Sequence, residues 1–120
     1  MHPAQKRLYA LGRQRKTGMN KTEAAYAAEL DLRKAAGDVL WWCFEGIKLK
    51  LTGNTFLEID FQVLRSDSVL EMVDVKGAEH LITDDANVKM KVAAQMFPFV
   101  FKFAFPMGGV KARTWVHREI

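Results

Sequence analysis

Three short stretches of this chain alternate apolar with polar residues, and turn-forming residues separate them. Ile47, Leu49 and Leu51 alternate with Lys48 and Lys50; Leu57, Ile59, Phe61 and Val63 alternate with Glu58, Asp60 and Gln62; Val73 and Val75 alternate with Asp74 and Lys76. A period of two places one set on each face of a strand, so these runs are incompatible with helix and require a sheet. Thr52-Gly53-Asn54-Thr55 and Ser66-Asp67-Ser68 supply the turns, so strands over 39–51, 56–65 and 69–76 read as an antiparallel meander. In that reading Asp60 lies mid-strand, facing away from the apolar row of its own strand.

Helical segments flank the meander. Asn20 followed by Glu23 matches a capping box, and the Ala-rich stretch after it meets Gly37, which predicts a helix over 20–36. Glu23, Tyr26, Ala27, Leu30 and Lys34 share one stripe of that helix. Thr83, Asp84 and Asp85 offer a cap and negative charge to the positive end of a second helix, which reaches Met96 before Pro98. The apolar run 99–105 then reads as a last strand, returned to the sheet by the helical crossover. The order helix, three strands, helix, strand predicts an α/β fold with a mixed central sheet flanked by helices. Met90, Met96, Phe97, Phe99, Phe101, Phe103 and Phe105 read as core, and of the adjacent Trp41 and Trp42 only one can enter a given core.

A chain of 120 residues fits one domain. Its net charge of +4 is unevenly spread, because Lys6, Arg7, Arg13, Arg15 and Lys16 face no acid in the first 18 residues and the last 14 are also basic. The middle is therefore acidic. This divides the chain into a basic N-terminal arm over 1–18, a core over 19–106 and a basic tail over 107–120, an asymmetry suited to a polyanion such as DNA or simply to solubility. The single cysteine, Cys43, lies in an apolar run and excludes an intrachain disulfide, so a buried thiol in a reducing cytoplasm is expected. No stretch approaches the ~18 apolar residues of a membrane span. His2, His80 and His117 lack metal-ligand spacing.

The chemistry-bearing feature is Asp74-Val75-Lys76. With 14 acids among 120 residues, roughly one acid-x-Lys triplet is expected by chance, so the triplet alone carries no weight. Its setting does: Asp74 and Lys76 share a strand face, Gly77 follows, and the hairpin with the preceding strand can bring Asp60 alongside. Two carboxylates ~4 Å apart repel by roughly 1 kcal/mol even in water, so such a pair ordinarily holds a cation. Mg²⁺, with Mn²⁺ as a substitute, suits hard oxygen donors and leaves room for substrate phosphate; the backbone carbonyl of Val75 would add a donor. Each residue has a structural alternative as well. Glu23 can be only a cap, Lys89 and Lys91 only a solvated helix face, and Asp60, Asp74 and Lys76 a surface salt-bridge cluster.

These residues together resemble the PD-(D/E)xK nuclease superfamily over about 20–105, closest to small phage-type members such as Holliday-junction-resolving endonucleases. Asp60 stands in the second strand of the core and Asp74-x-Lys76 in the third, with Glu23 on the first helix and a Val75-Lys76-Gly77 ending. The resemblance implies a restriction-endonuclease-like core, Mg²⁺-dependent cleavage of DNA, Asp60 and Asp74 as metal ligands, Lys76 as catalytic, Glu23 as an accessory ligand, a homodimer, and no organic cofactor or membrane. Arg13, Arg15, Lys16, Lys89 and Lys91 would meet DNA. The motif's nominal proline is replaced by Ile59, and Asp74 stands for the commoner glutamate. Gln95 is followed four residues later by Phe99 rather than tyrosine, which gives no support for a processive exonuclease. The same scaffold without turnover, as a DNA-binding or assembly protein, is the alternative.

Overall fold

The computed structural model describes residues 18–108 and 114–120; the candidate arm residues Arg13, Arg15 and Lys16 lie outside them. Helix α1, Lys21–Ala35, begins as its cap predicts. Asn20 Oδ1 accepts from the Glu23 backbone N–H at 2.8 Å, while Glu23 Oε1 accepts from the Asn20 N–H at 2.9 Å. It ends where Gly37, at φ +90°, takes a left-handed conformation that a side chain would resist, and the N–H groups of Gly37 and Asp38 close on the carbonyls of Lys34 and Arg33.

Among the described residues seven strands follow: β1 Val39–Phe44, β2 Lys48–Thr52, β3 Thr55–Glu58, β4 Phe61–Arg65, β5 Leu70–Val75, β6 Val100–Pro106 and β7 Trp115–Glu119. Helix α2, Asp84–Met96, lies between β5 and β6 with Thr83 Oγ1 accepting from the Ala86 N–H at 3.1 Å. The main sheet runs β1-β4-β5-β6-β7, and β5 and β6 are parallel, as a helical crossover requires. The other pairings in it are antiparallel. The mixed α/β expectation is met.

The expected meander is rearranged. The run 56–65 is two strands divided by a bend at Ile59 and Asp60, and its first half pairs with β2 in a separate hairpin, leaving β1 to pair directly with β4. Asp60 is therefore a bend residue, not a mid-strand one. The reason lies in the packing: Ile59 enters the core beneath α2, while Phe61 enters the core beneath α1, so the chain changes layers between them. Residues 115–119, assigned to the tail, form β7 against β6, with Val116 opposite Phe105 and His117 opposite Ala104.

Two cores result. Tyr26, Ala27 and Leu30 of α1 pack on Trp42, Phe44, Phe61, Val63, Val73 and Val75. On the other face, Met90 and Ala93 of α2, with Leu49, Leu51 and Leu57 of the hairpin, cover Met72, Phe101 and Phe103. Of the tryptophans, Trp42 is the buried one, its Nε1–H donating to Asp31 Oδ1 at 2.9 Å, whereas Trp41 is half-buried. Cys43 is buried as expected. Met96 is not core: it is 48% exposed at the end of α2. Among the described residues no helix is long and apolar enough to cross a membrane.

Candidate metal and phosphate site

Register decides whether the predicted carboxylates meet. Phe61 pairs with Val73 and Gln62 with Met72, so continuing β4 back by one residue sets Asp60 opposite Asp74. The backbone N–H of Val75 donates to Asp60 Oδ2 at 2.8 Å, which fixes that carboxylate at the end of β5. Lys76 Nζ lies 3.2 Å from Asp74 Oδ2. Asp60, in the bend before β4, and Asp74 and Lys76, at the end of β5, thus lie in one group.

The bend that carries Asp60 is braced from inside. Gln62, placed by alternation among the outward residues, is instead fully buried under the hairpin: its Nε2 donates to the Ile59 carbonyl at 3.0 Å and its Oε1 accepts from the Gly46 N–H at 2.7 Å. Gly46 has no room for a side chain, since a Cβ there would come 2.8 Å from Cys43 Sγ and 3.1 Å from Gln62 Oε1. The Glu45 N–H also donates to the Asp60 carbonyl at 2.7 Å. Periodicity gave no signal for this brace, because a buried glutamine inside an alternating run looks like any outward polar residue.

The electrostatics are unbalanced. Burial pushes the Asp60 carboxyl well above the usual carboxylate range. The Asp74 charge adds to this, as does the hydrogen bond between the two side chains, and Glu23 contributes a smaller push; only the Val75 N–H acts in the opposite direction. Glu23 thus has two roles at once: it completes the helix cap, and its charge reaches Asp60. The first turn of α1 stands close by, with Thr22 Oγ1 3.9 Å from the Cβ position of Gly77.

Asp74 and Lys76 form part of the lining of an open cleft of about 580 Å³ between the β2–β3 hairpin and α2. Lys89 reaches it from α2, paired with Asp85 at 3.6 Å, while Lys91 is an exposed residue two positions on and does not line it. Lys48, Phe56 and Glu58 form the hairpin wall, and sequence reasoning had given none of them a role. Their strand alternation was visible, but not that the hairpin leaves the sheet and leans over the site.

Among the described residues, no three His, Cys, Asp or Glu side chains gather as a metal-binding cluster; the group here has two carboxylates. For Mg²⁺ that set fits, because one or two carboxylates commonly suffice when waters and substrate phosphate complete the octahedron. Burial and the neighbouring Asp74 hold the Asp60 carboxyl toward its protonated form, and a cation would let both carboxyls ionise. No family model, curated protein or solved structure matches this chain.

Proposed function

We propose that this protein is a Mg²⁺-dependent DNA endonuclease with a restriction-endonuclease-like core. The observation that carries the reading is the convergence of Asp60 with Asp74 and Lys76, the latter two lining an open cleft. The topology supports it: α1, the antiparallel trio β1, β4 and β5, then α2 and the parallel strand β6 reproduce the order expected of such a core, with a hairpin inserted and β7 added.

Asp60 and Asp74 would hold the cation. In an extended strand the N–H and C=O of one residue project to the same edge, so the Val75 carbonyl follows its N–H toward Asp60 and adds a third oxygen. A cation held by these groups would supply the charge that polarises a phosphoryl oxygen and lowers the pKa of a water. With Asp74 turned to a cation, Lys76 would be freed to meet the scissile phosphate or the attacking water, and Lys89 would hold a neighbouring phosphate across the cleft. Glu23 remains primarily a cap and tunes the charge at Asp60. One cleft cuts one strand, so cleavage of both strands calls for two copies, and a twofold homodimer is the simplest arrangement.

The direct test is incubation with Mg²⁺ and supercoiled, linear and four-way-junction DNA. Internal cutting by the wild type, reduced roughly 10²–10³-fold or more in Asp74→Asn, is expected. Equal behaviour of the two proteins would refute the reading. The restriction of the group to two carboxylates favours one other reading, a DNA-binding protein of this shape without turnover. It predicts junction binding with no cleavage in either Mg²⁺ or Mn²⁺.

A further inference from the structure

The β2–β3 hairpin buries one face and leaves the other to the cleft. Leu49, Leu51 and Leu57 turn inward against α2. Cross-strand pairing of Lys48 with Glu58 and Lys50 with Phe56, together with the alternation along each strand, puts those four residues on the outer face. Phe56 is 38% exposed, although its neighbour Leu57 is 9% exposed. The partly exposed Phe56 ring lines the same cleft as Asp74 and Lys76.

We propose that this outer face, formed by Lys48, Lys50 and Phe56, is a docking face for an unpaired DNA nucleotide, whose base stacks on Phe56 while adjoining phosphates meet the two lysines. The inference rests on the nuclease reading and specifies its substrate. An aromatic ring stacks on a base without regard to sequence, but it needs a free base face, and in a duplex each face is covered by the neighbouring base pair. Unpaired or extruded nucleotides are therefore selected over paired ones. Lys48 is already in position: its Nζ lies 4.7 Å from the Phe56 ring centroid and 3.6 Å from Glu58 Oε1, both solvent-exposed contacts that a phosphate displaces at little cost. Lys50 stands opposite Phe56 on the hairpin, and Lys48, Lys76 and Lys89 line the cleft, so a strand laid over the ring meets a basic track toward Asp74.

The test is fluorescence anisotropy with labelled single-stranded oligothymidine and with a fully paired duplex, in EDTA to prevent turnover, alongside calorimetric titration of Mn²⁺ into each protein. Phe56→Ala should weaken single-strand binding roughly ten- to a hundredfold and leave duplex binding and the Mn²⁺ heat unchanged. Phe56→Trp should bind at least as well as wild type, and Lys48→Ala/Lys50→Ala should weaken binding with a shallower salt dependence. Phe56→Leu keeps an apolar side chain of similar size on the hairpin, so it controls for loss of structure in Phe56→Ala; it should bind single strands as poorly as the alanine variant. Wild-type-like single-strand binding by Phe56→Leu, or equal losses on both DNAs, overturns the inference while the nuclease reading stands. A wild type that binds neither DNA overturns both.

Discussion

Strand β5 carries two acids three residues apart, and the protein treats them in opposite ways. Glu71, on the α1 face, is almost completely buried and fully compensated: Lys102 Nζ lies 2.7 Å from its Oε2 and Arg65 Nη1 3.4 Å. Asp74, on the face of α2 and the hairpin, is set against a second carboxyl, with the Lys76 ammonium 3.2 Å from its Oδ2. An acid kept for structure is given cations until its charge is neutralised. The Asp60–Asp74 pair cannot ionise both carboxyls without cost, so Asp60 is held toward its protonated form beside a cleft open to ligands, a pattern that costs stability and that perturbed carboxylates at functional sites commonly show.

Removing Glu71 should break the balanced region most severely. Glu71→Gln leaves the Lys102 ammonium, 13% exposed, without its carboxylate, and a loss of about 3 kcal/mol is expected in denaturant unfolding. The folded fraction should keep its metal affinity, because Glu71 projects to the other face of the sheet.

The opposite sign is expected in the unbalanced region. A carboxyl whose pKa is raised on folding binds more protons in the native state, so its contribution to stability falls as pH rises through the window between its unfolded and folded values. Metal-free wild type should therefore lose stability from acid toward mildly alkaline pH on account of Asp60. Asp60→Asn, which keeps an oxygen for the Val75 N–H, should be more stable than wild type at pH 8 by an amount on the order of 2 kcal/mol and should remove that slope. An asparagine variant less stable than wild type at pH 8 would mean that the pair is not strained.

A smaller pH effect belongs to the α1 face. Tyr26 Oη and His117 Nε2 are 2.9 Å apart, and burial, then Lys102 and Arg33, lower the His117 pKa to about 4. The unfolded chain protonates this histidine first, so its contribution is complete above about pH 6.5 and is lost as pH falls toward 4. His117 is only partly buried, and solvent screening holds the effect below about 1 kcal/mol per pH unit. Thermal melts of His117→Gln against wild type across that range measure it.

The two regions also differ in how readable they were. Both helix caps, the crossover to β6 and the shared face of Asp74 and Lys76 follow from local chemistry, and each was legible in residues 20–23, 73–76 and 83–86. The split of the 56–65 run was not. Its apolar residues keep strict alternation across the bend, and nothing in that period says that Ile59 serves one core and Phe61 the other. Strand β7 was hidden for a related reason: an edge strand half-exposed along its length carries too weak a pattern to distinguish it from a tail. Asp60 reached Asp74 because register, set by the β4–β5 pairing, survived the bend.

The central claim is that Asp60 and Asp74 are held together to share a divalent cation. Calorimetric titration of Mn²⁺ and Mg²⁺ into the intact protein tests it most directly. Saturable binding by wild type and by Glu71→Gln, absent in both Asp60→Asn and Asp74→Asn, is the predicted result. Binding that persists in the two asparagine variants, or a wild type that takes up neither ion, would contradict it.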